Sequence, residues 1–159
     1  MTFFEIIKNF VKNVVIGFGR FNGRPAGVIA NQPKYKAGVL DCNVSDKVAG
    51  FIRFCDLFNI PLINLHDTPG YLIGPDQEWR GILRHGAKML YLYIEATVPK
   101  ITVIIRKSYA GAYTGCAAKI PELILYMHGP TPESALLVAS QPQVLSLQGR
   151  SKMQMILKK

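Results

Sequence analysis

The chain has 159 residues, 49% of them apolar, and a formal charge of +9. That length and apolar share suit one domain with a real core and exclude wholesale disorder. The positive charge is open to nucleic acid, an anionic membrane or a phosphate-rich cofactor. No nucleic-acid-binding signature and no dense Lys/Arg stripe on a helix accompanies it.

Residues 1–12 are expected to form a helical lead-in, whose apolar start is interrupted by Lys8 and Lys12 and is too short to span a bilayer. Residues 14–18 form an apolar, β-branched run, Asn22-Gly23 follows, and residues 25–30 are β-prone again. Two such runs around Asn-Gly predict a hairpin, because both turn residues tolerate positive φ. Residues 31–43 read as a loop. Ser45-Asp46 is the expected cap of a helix in which Val48, Phe51, Ile52, Cys55 and Phe58 recur at helical spacing, ending at Asn59.

Residues 60–65 are expected as a strand buried on both faces, closed by the polar turn of residues 66–70. After a loop over residues 71–79, Ile82, Leu83, Ala87, Leu90, Tyr91 and Ile94 mark a long helix that stops before Pro99. Residues 101–105 are the next buried strand, and a further helix is expected to start at Gly111-Ala112-Tyr113. A hairpin followed by two β–α units predicts a layered α/β fold with mostly parallel pairing. Function in such folds gathers at the carboxyl ends of strands, where both Thr68-Pro69-Gly70 and Gly111-Ala112 fall.

Past Lys119 the pattern changes. Pro121, Pro130, Pro132 and Pro142 break helical periodicity and four glutamines enrich the end, so residues 120–159 are expected to be a tail that does not continue the domain. Cys42, Cys55 and Cys116 are scattered, without a Cys-x-x-Cys pair, which fits a reduced, intracellular setting.

Gly111-Ala112 is the best candidate for chemistry. A strand feeding a small-residue turn into a helix presents backbone N–H groups that suit an anion or a developing oxyanion. Tight helix packing explains such a turn equally well. Thr68-Pro69-Gly70 read alone is a plain β-turn, and only its place on the same sheet edge raises a functional reading. Asp67, Asp76, Glu78 and Glu95 are best read as solvated acids, His66 and His85 lack metal-ligand spacing, Cys116 has no His partner, and Arg84 with Lys88 reads as a solvated basic face.

Several blocks carry a resemblance. They are Gly-Arg-Pro-Ala-Gly-Val-Ile-Ala-Asn-Gln-Pro at residues 23–33, Phe-Ile-Arg-Phe-Cys-Asp-Leu-Phe-Asn-Ile-Pro-Leu at residues 51–62, and Arg84-His85-Gly86-Ala87-Lys88 with Glu-Ala-Thr-Val-Pro-Lys at residues 95–100. With the Pro-Gly turn, Gln77-Glu78 and the Gly-Ala-Tyr turn, they resemble the carboxyltransferase β-type subunit of propionyl-CoA and acetyl-CoA carboxylases, in order and nearly continuously over residues 13–113.

The resemblance implies a crotonase-like (ClpP/crotonase) ββα layered fold built in two related halves. Residues 13–119 correspond to the C-terminal half, incomplete at its C-terminus, and the acyl-CoA half is not found before Met1. In the family the N-terminal half binds acyl-CoA, the C-terminal half receives carboxybiotin, and the site lies between halves of different subunits of an oligomer. Carboxybiotin releases CO2, the biotin anion takes the α-proton of the thioester, and the enolate attacks CO2, with backbone oxyanion holes on both sides.

The implied cofactor is therefore biotin on a carrier protein or biotinylated subunit, with acyl-CoA as substrate, no metal, no nucleic acid and no membrane insertion. The implied location is the cytoplasm, or the mitochondrial matrix in a eukaryote. Gly111 and Ala112 fall at the biotin-side oxyanion donors, Thr68, Pro69, Gly70 and Tyr113 at the biotin pocket, and Thr114 at a position that influences acyl-chain choice. Ala110 stands where the family usually has a first Gly, which crowds the turn, and the match is expected to stop after Tyr113.

Codon degeneracy offers a reason for that stop. If the bases of residues 115–130 are kept and each codon starts one base earlier, the permitted translations include Met-Cys-Ser-Lys-Asp-Thr-Gly-Ala-Asp-Leu-Val-Tyr-Ala-Trp-Pro, a string that resembles what the family carries there. The Ala is forced by Met127 and His128. Residues 120–159 are thus expected to be a frameshifted, non-native tail, against the alternative of a natural divergent one. The competing functions are the carboxyltransferase subunit of a biotin-dependent acyl-CoA decarboxylase, an inert fragment or pseudogene product, a hydratase (for which no Glu pair is positioned), and a basic nucleic-acid-binding module.

Overall fold

The computed structural model describes residues 2–109, 111–112, 124–128 and 133–135. Strands β1 (Phe3–Ile6), β2 (Val14–Phe21) and β3 (Arg24–Asn31) open the chain. A short 3-10 turn (Lys36–Gly38), helix α1 (Cys42–Leu57) and strand β4 (Leu62–Thr68) follow. Helices α2 (Pro75–Trp79) and α3 (Ile82–Glu95) lead to β5 (Lys100–Tyr109), with β6 (Ile124–His128) and β7 (Glu133–Ala135) beyond it. One sheet runs in the order β1-β2-β3-β4-β5-β6, and β7 also pairs with β5. The first three strands are antiparallel, and β3 through β6 are parallel.

The hairpin forms where Asn-Gly demands it. Asn22 and Gly23 both take positive φ, 50° and 82°, the primed turn whose twist matches the flanking strands. Glycine serves packing in β3: a Cβ on Gly27 would lie 2.7 Å from Cys55 Sγ and 3.3 Å from Phe51, so α1 lies directly on the sheet there. Val44, Val48, Ile52 and Cys55 of α1, Val14, Ile16, Ile29 and Leu62 of the strands, and Met89 and Tyr93 of α3 make one core. Across it Tyr93 Oη donates to Asn64 Oδ1 at 2.7 Å, and Asn64 Nδ2 donates to Thr102 Oγ1 at 3.3 Å, so the buried amide is satisfied from both sides.

Five expectations are corrected. The lead-in is not helical: Phe3–Ile6 is a strand that pairs with the free edge of β2. Lys47, buried under the following loop, donates to the carbonyls of Phe10, Val11 and Val14 at 2.7, 3.2 and 2.9 Å. Helix α1 starts earlier than Ser45-Asp46, because Asp41 accepts from Val44 N at 2.9 Å and is the cap. Ser45 instead donates back to Asp41 O, and Asp46 faces α3, where His85 and Lys88 each meet it at 2.9 Å.

Strand β4 runs through His66, Asp67 and Thr68 rather than turning there, and it alternates buried and half-buried residues instead of burying both faces. Its polar end is stable as strand because its side chains find partners on β5. After Lys119, β6 and β7 lie in parallel register beside β5, so two short segments do extend the sheet. The apolar run Ile-Leu-Tyr-Met suits a strand, and the outer edge of β5 offers it unpaired backbone groups.

Candidate active site

The parallel strands β3, β4 and β5 end together, at Asn31, Thr68 and Tyr109. At this edge the backbone changes direction twice within reach of the same side chains. Thr68 is fully buried and its Oγ1 accepts from Gly70 N at 3.2 Å, which closes the first turn without help from outside. Gly70 has φ of 127°, a conformation few L side chains adopt, and a Cβ there would lie 3.6 Å from the carbonyl oxygen of Tyr109. The turn after β4 therefore leans on the end of β5, and the two predicted turns are brought together.

The second turn follows. Gly111 and Ala112 are helical, Gly111 exposed and Ala112 fully buried in the core. The first N–H groups of a helix have no intrahelical acceptor, so a helix start is a place where backbone donors are open to another partner. A Cβ on Gly111 would lie 3.2 and 3.3 Å from Tyr71 Cδ2 and Cε2. Ala110, Tyr113, Thr114 and Cys116 lie outside the described residues.

Three features escaped the sequence reading. Arg106 forks onto Asp67, with Nε to Oδ1 at 3.3 Å and the guanidinium to Oδ2 at 3.2 Å, so the carboxylate at this edge has a cation against it. His66 Nδ1 meets Ser108 Oγ at 3.2 Å, and burial pushes the imidazole down to about 4, so it is neutral at physiological pH. Tyr71, read as loop, packs beside Gly111. Only alternation at residues 64, 66 and 68 hinted that β4 carries polar side chains inward. Among the described residues no group of three or more His, Cys, Asp or Glu gathers as metal ligands would, and no helix is long and apolar enough to cross a membrane.

The hairpin-led mixed sheet with helices packed on it has the crotonase-like architecture of the carboxyltransferase domains on which it superposes. Residues 1–145 match the carboxyl transferase domain family, and the chain belongs to it. That span runs on past Tyr113, the expected end of the resemblance. The chain is 53% identical over 138 residues to the biotin-dependent acetyl-/propionyl-coenzyme A carboxylase beta5 subunit of Mycobacterium tuberculosis, covering 87% of this chain and 25% of that protein. It is 58% identical over 117 residues to the mitochondrial propionyl-CoA carboxylase beta chain of Homo sapiens, covering 74% and 22%.

To the methylmalonyl-CoA decarboxylase subunit alpha of Veillonella parvula it is 53% identical over 136 residues, covering 85% and 26%. Among solved structures, a transcarboxylase 12S hexamer with hydrolysed methylmalonyl-coenzyme A bound superposes with a TM-score of 0.81 at 47% identity, covering 87% of this chain and 28% of that one. The chain thus spans about a quarter of the length of the relatives it matches.

Proposed function

We propose that the chain forms the biotin-side part of an acyl-CoA carboxyltransferase, which moves a carboxyl group between carboxybiotin and the α-carbon of an acyl-CoA such as propionyl-CoA or acetyl-CoA. The observation that carries this reading is the meeting of the Thr68–Gly70 turn and the Gly111–Ala112 helix start at one parallel strand edge, in a member of the carboxyl transferase family.

The residues fit a small, polar, uncharged ring such as the ureido group of biotin. Gly111 is exposed, so a ligand can approach its backbone from the face away from Tyr71, while Asp67 is paired with Arg106 rather than presenting a lone carboxylate against a developing oxyanion. When bound, biotin supplies the transferable carboxyl group and the base for the α-proton. This chain's own part is to bind and orient: Gly111 and Ala112 donate N–H groups, and Thr68, Pro69 and Gly70 wall the pocket. The reading assigns Tyr113 to the same pocket and Thr114 to acyl-chain choice.

A biotin carrier or biotinylated subunit is the partner on one side. An acyl-CoA-binding half is the partner on the other, in a homo-oligomer of the cytoplasm or, in a eukaryote, the mitochondrial matrix. The likeness to a decarboxylase alpha subunit favours one second reading, in which the same step runs toward biotin.

The test is a carboxylation assay with a carboxybiotin-loaded carrier and several acyl-CoAs. The chain, and a version restored one base earlier from residue 115, are each joined to an acyl-CoA-binding half. Carboxyl transfer by the restored version supports the reading. Absence of transfer in both directions, with both proteins folded, overturns it.

A further inference from the structure

We propose that Tyr71 is a positioning residue that holds the amide donors Gly111 and Ala112 in place, its ring wedged between helix α3 and the turn after β5. The inference rests on the oxyanion reading of those two amides. Opposite sides of the ring meet two glycines. A Cβ on Gly111 would lie 3.2 Å from Cδ2 and 3.3 Å from Cε2, while a Cβ on Gly86 would lie 3.0 Å from Cε1, 3.2 Å from Cζ and 3.3 Å from Oη. Gly86 is buried in the interior of α3, so the ring has backbone behind it as well as in front. Either added methyl would meet the ring at less than ordinary van der Waals separation.

The Tyr71 backbone is pinned as well. Leu40 N donates to Gly70 O at 2.9 Å and Leu72 N donates to Leu40 O at 2.8 Å, a parallel bridge that brackets Tyr71. The residue before it, Gly70, abuts the Tyr109 carbonyl that closes β5. Tyr71 thus touches the far side of the turn whose near side is β5 itself. A flat, stiff ring of fixed width between two backbones sets the spacing between α3 and residue 111 in a way a flexible aliphatic side chain does not. Donor placement matters at this scale, because a shift of about 1 Å in a reacting geometry can cost about 100-fold in rate.

Gly86 makes the wedge separable from general stability. By helix propensity alone, alanine at an interior position raises the stability of α3. The wedge predicts the opposite sign for function: Gly86→Ala drives the ring toward Gly111.

The experiment uses the in-frame chain assembled with an acyl-CoA-binding half, a carboxybiotin-loaded carrier and propionyl-CoA, with kcat, KM for propionyl-CoA and the thermal midpoint read for each variant. Tyr71→Leu and Gly86→Ala are each expected to lower kcat about tenfold or more with KM for propionyl-CoA unchanged.

Wild-type kcat in either damaging variant overturns the inference, as does a loss that scales only with the fraction of unfolded protein. If Tyr71→Leu does not fold, Gly86→Ala decides alone. An unmutated assembly without carboxyl transfer removes the functional reading and this inference together, whereas an active assembly indifferent to Tyr71→Leu and Gly86→Ala removes the inference only.

Discussion

Arg106 and Asp67 pair across neighbouring strands at the carboxyl edge of the sheet, with both guanidinium contacts near 3.2 to 3.3 Å. The pair ties β4 to β5 at the point where their register shifts, between His66 and Thr68. Arg106 is about half exposed, so solvent screening keeps the energy small. Asp67→Asn is expected to cost roughly 0.5 kcal/mol in urea unfolding of the assembled protein, a difference that should vanish in 1 M salt. A loss several times larger, indifferent to salt, would show that the pair acts as a buried one.

His66 gives the domain an acid sensitivity. Its ordinary value is 6.5 and burial brings it to about 4 in the fold. The unfolded chain therefore binds a proton that the folded chain refuses, and stability falls as pH drops from 6.5 toward 4, with no further loss from this group below that. A shift of this size is worth about 3 kcal/mol. Unfolding free energy measured from pH 7.5 to 4 should show the decline in the native protein. His66→Val should flatten the part of the slope above pH 5. An unchanged slope in that variant would place the sensitivity elsewhere.

The hairpin, the two β–α units and the parallel pairing were legible because each rests on a local signal. Asn22-Gly23 demands its turn, helical spacing marks residues 48–58 and 82–94, and short apolar runs mark β4 and β5. The boundaries were less legible where polar residues serve tertiary partners. His66 and Thr68 look like a turn in sequence and stay in the strand because Ser108 stands opposite.

Asp41 is hard to read as the cap because the loop before it disguises the helix start. The strand at residues 3–6 could not be separated from a helix by its four residues, since only the edge of β2 selects it. At the candidate site the glycines were legible and Tyr71 was not. Spacing shows where a backbone can be approached, and it does not show which ring approaches it.

Lys47 of α1 is a buried cation beneath the N-terminal loop. Burial lowers its pKa, with Glu5 acting the other way, and its ammonium meets three carbonyls. Lys47→Met keeps most of the apolar stem and strands those acceptors, so a loss of about 3 kcal/mol is expected. Hydrogen exchange should report it first in β1 and residues 7–13, since β1 is an edge strand that pairs with β2. Uniform destabilisation without early exchange there would mean that Lys47 anchors α1 rather than the loop.

The stretch after residue 113 is where codon arithmetic and pairing make different demands. The family match runs to residue 145, and residues 124–128 lie beside β5 as a strand. An out-of-frame segment can do this much, because an edge strand asks only for an extended, apolar run and backbone hydrogen bonds. A helix that holds Gly111 rigid asks for a specific apolar face, and that is what a shifted frame destroys. We therefore expect independent reads of the gene to show one base missing near codon 115. We also expect the chain as it stands to aggregate on expression, while a version restored in frame and joined to an acyl-CoA-binding half melts cooperatively. An intact frame through codons 110–130 in independent reads, or a monodisperse and cooperatively melting 159-residue monomer, would defeat the frame argument and make the tail a natural part of this protein.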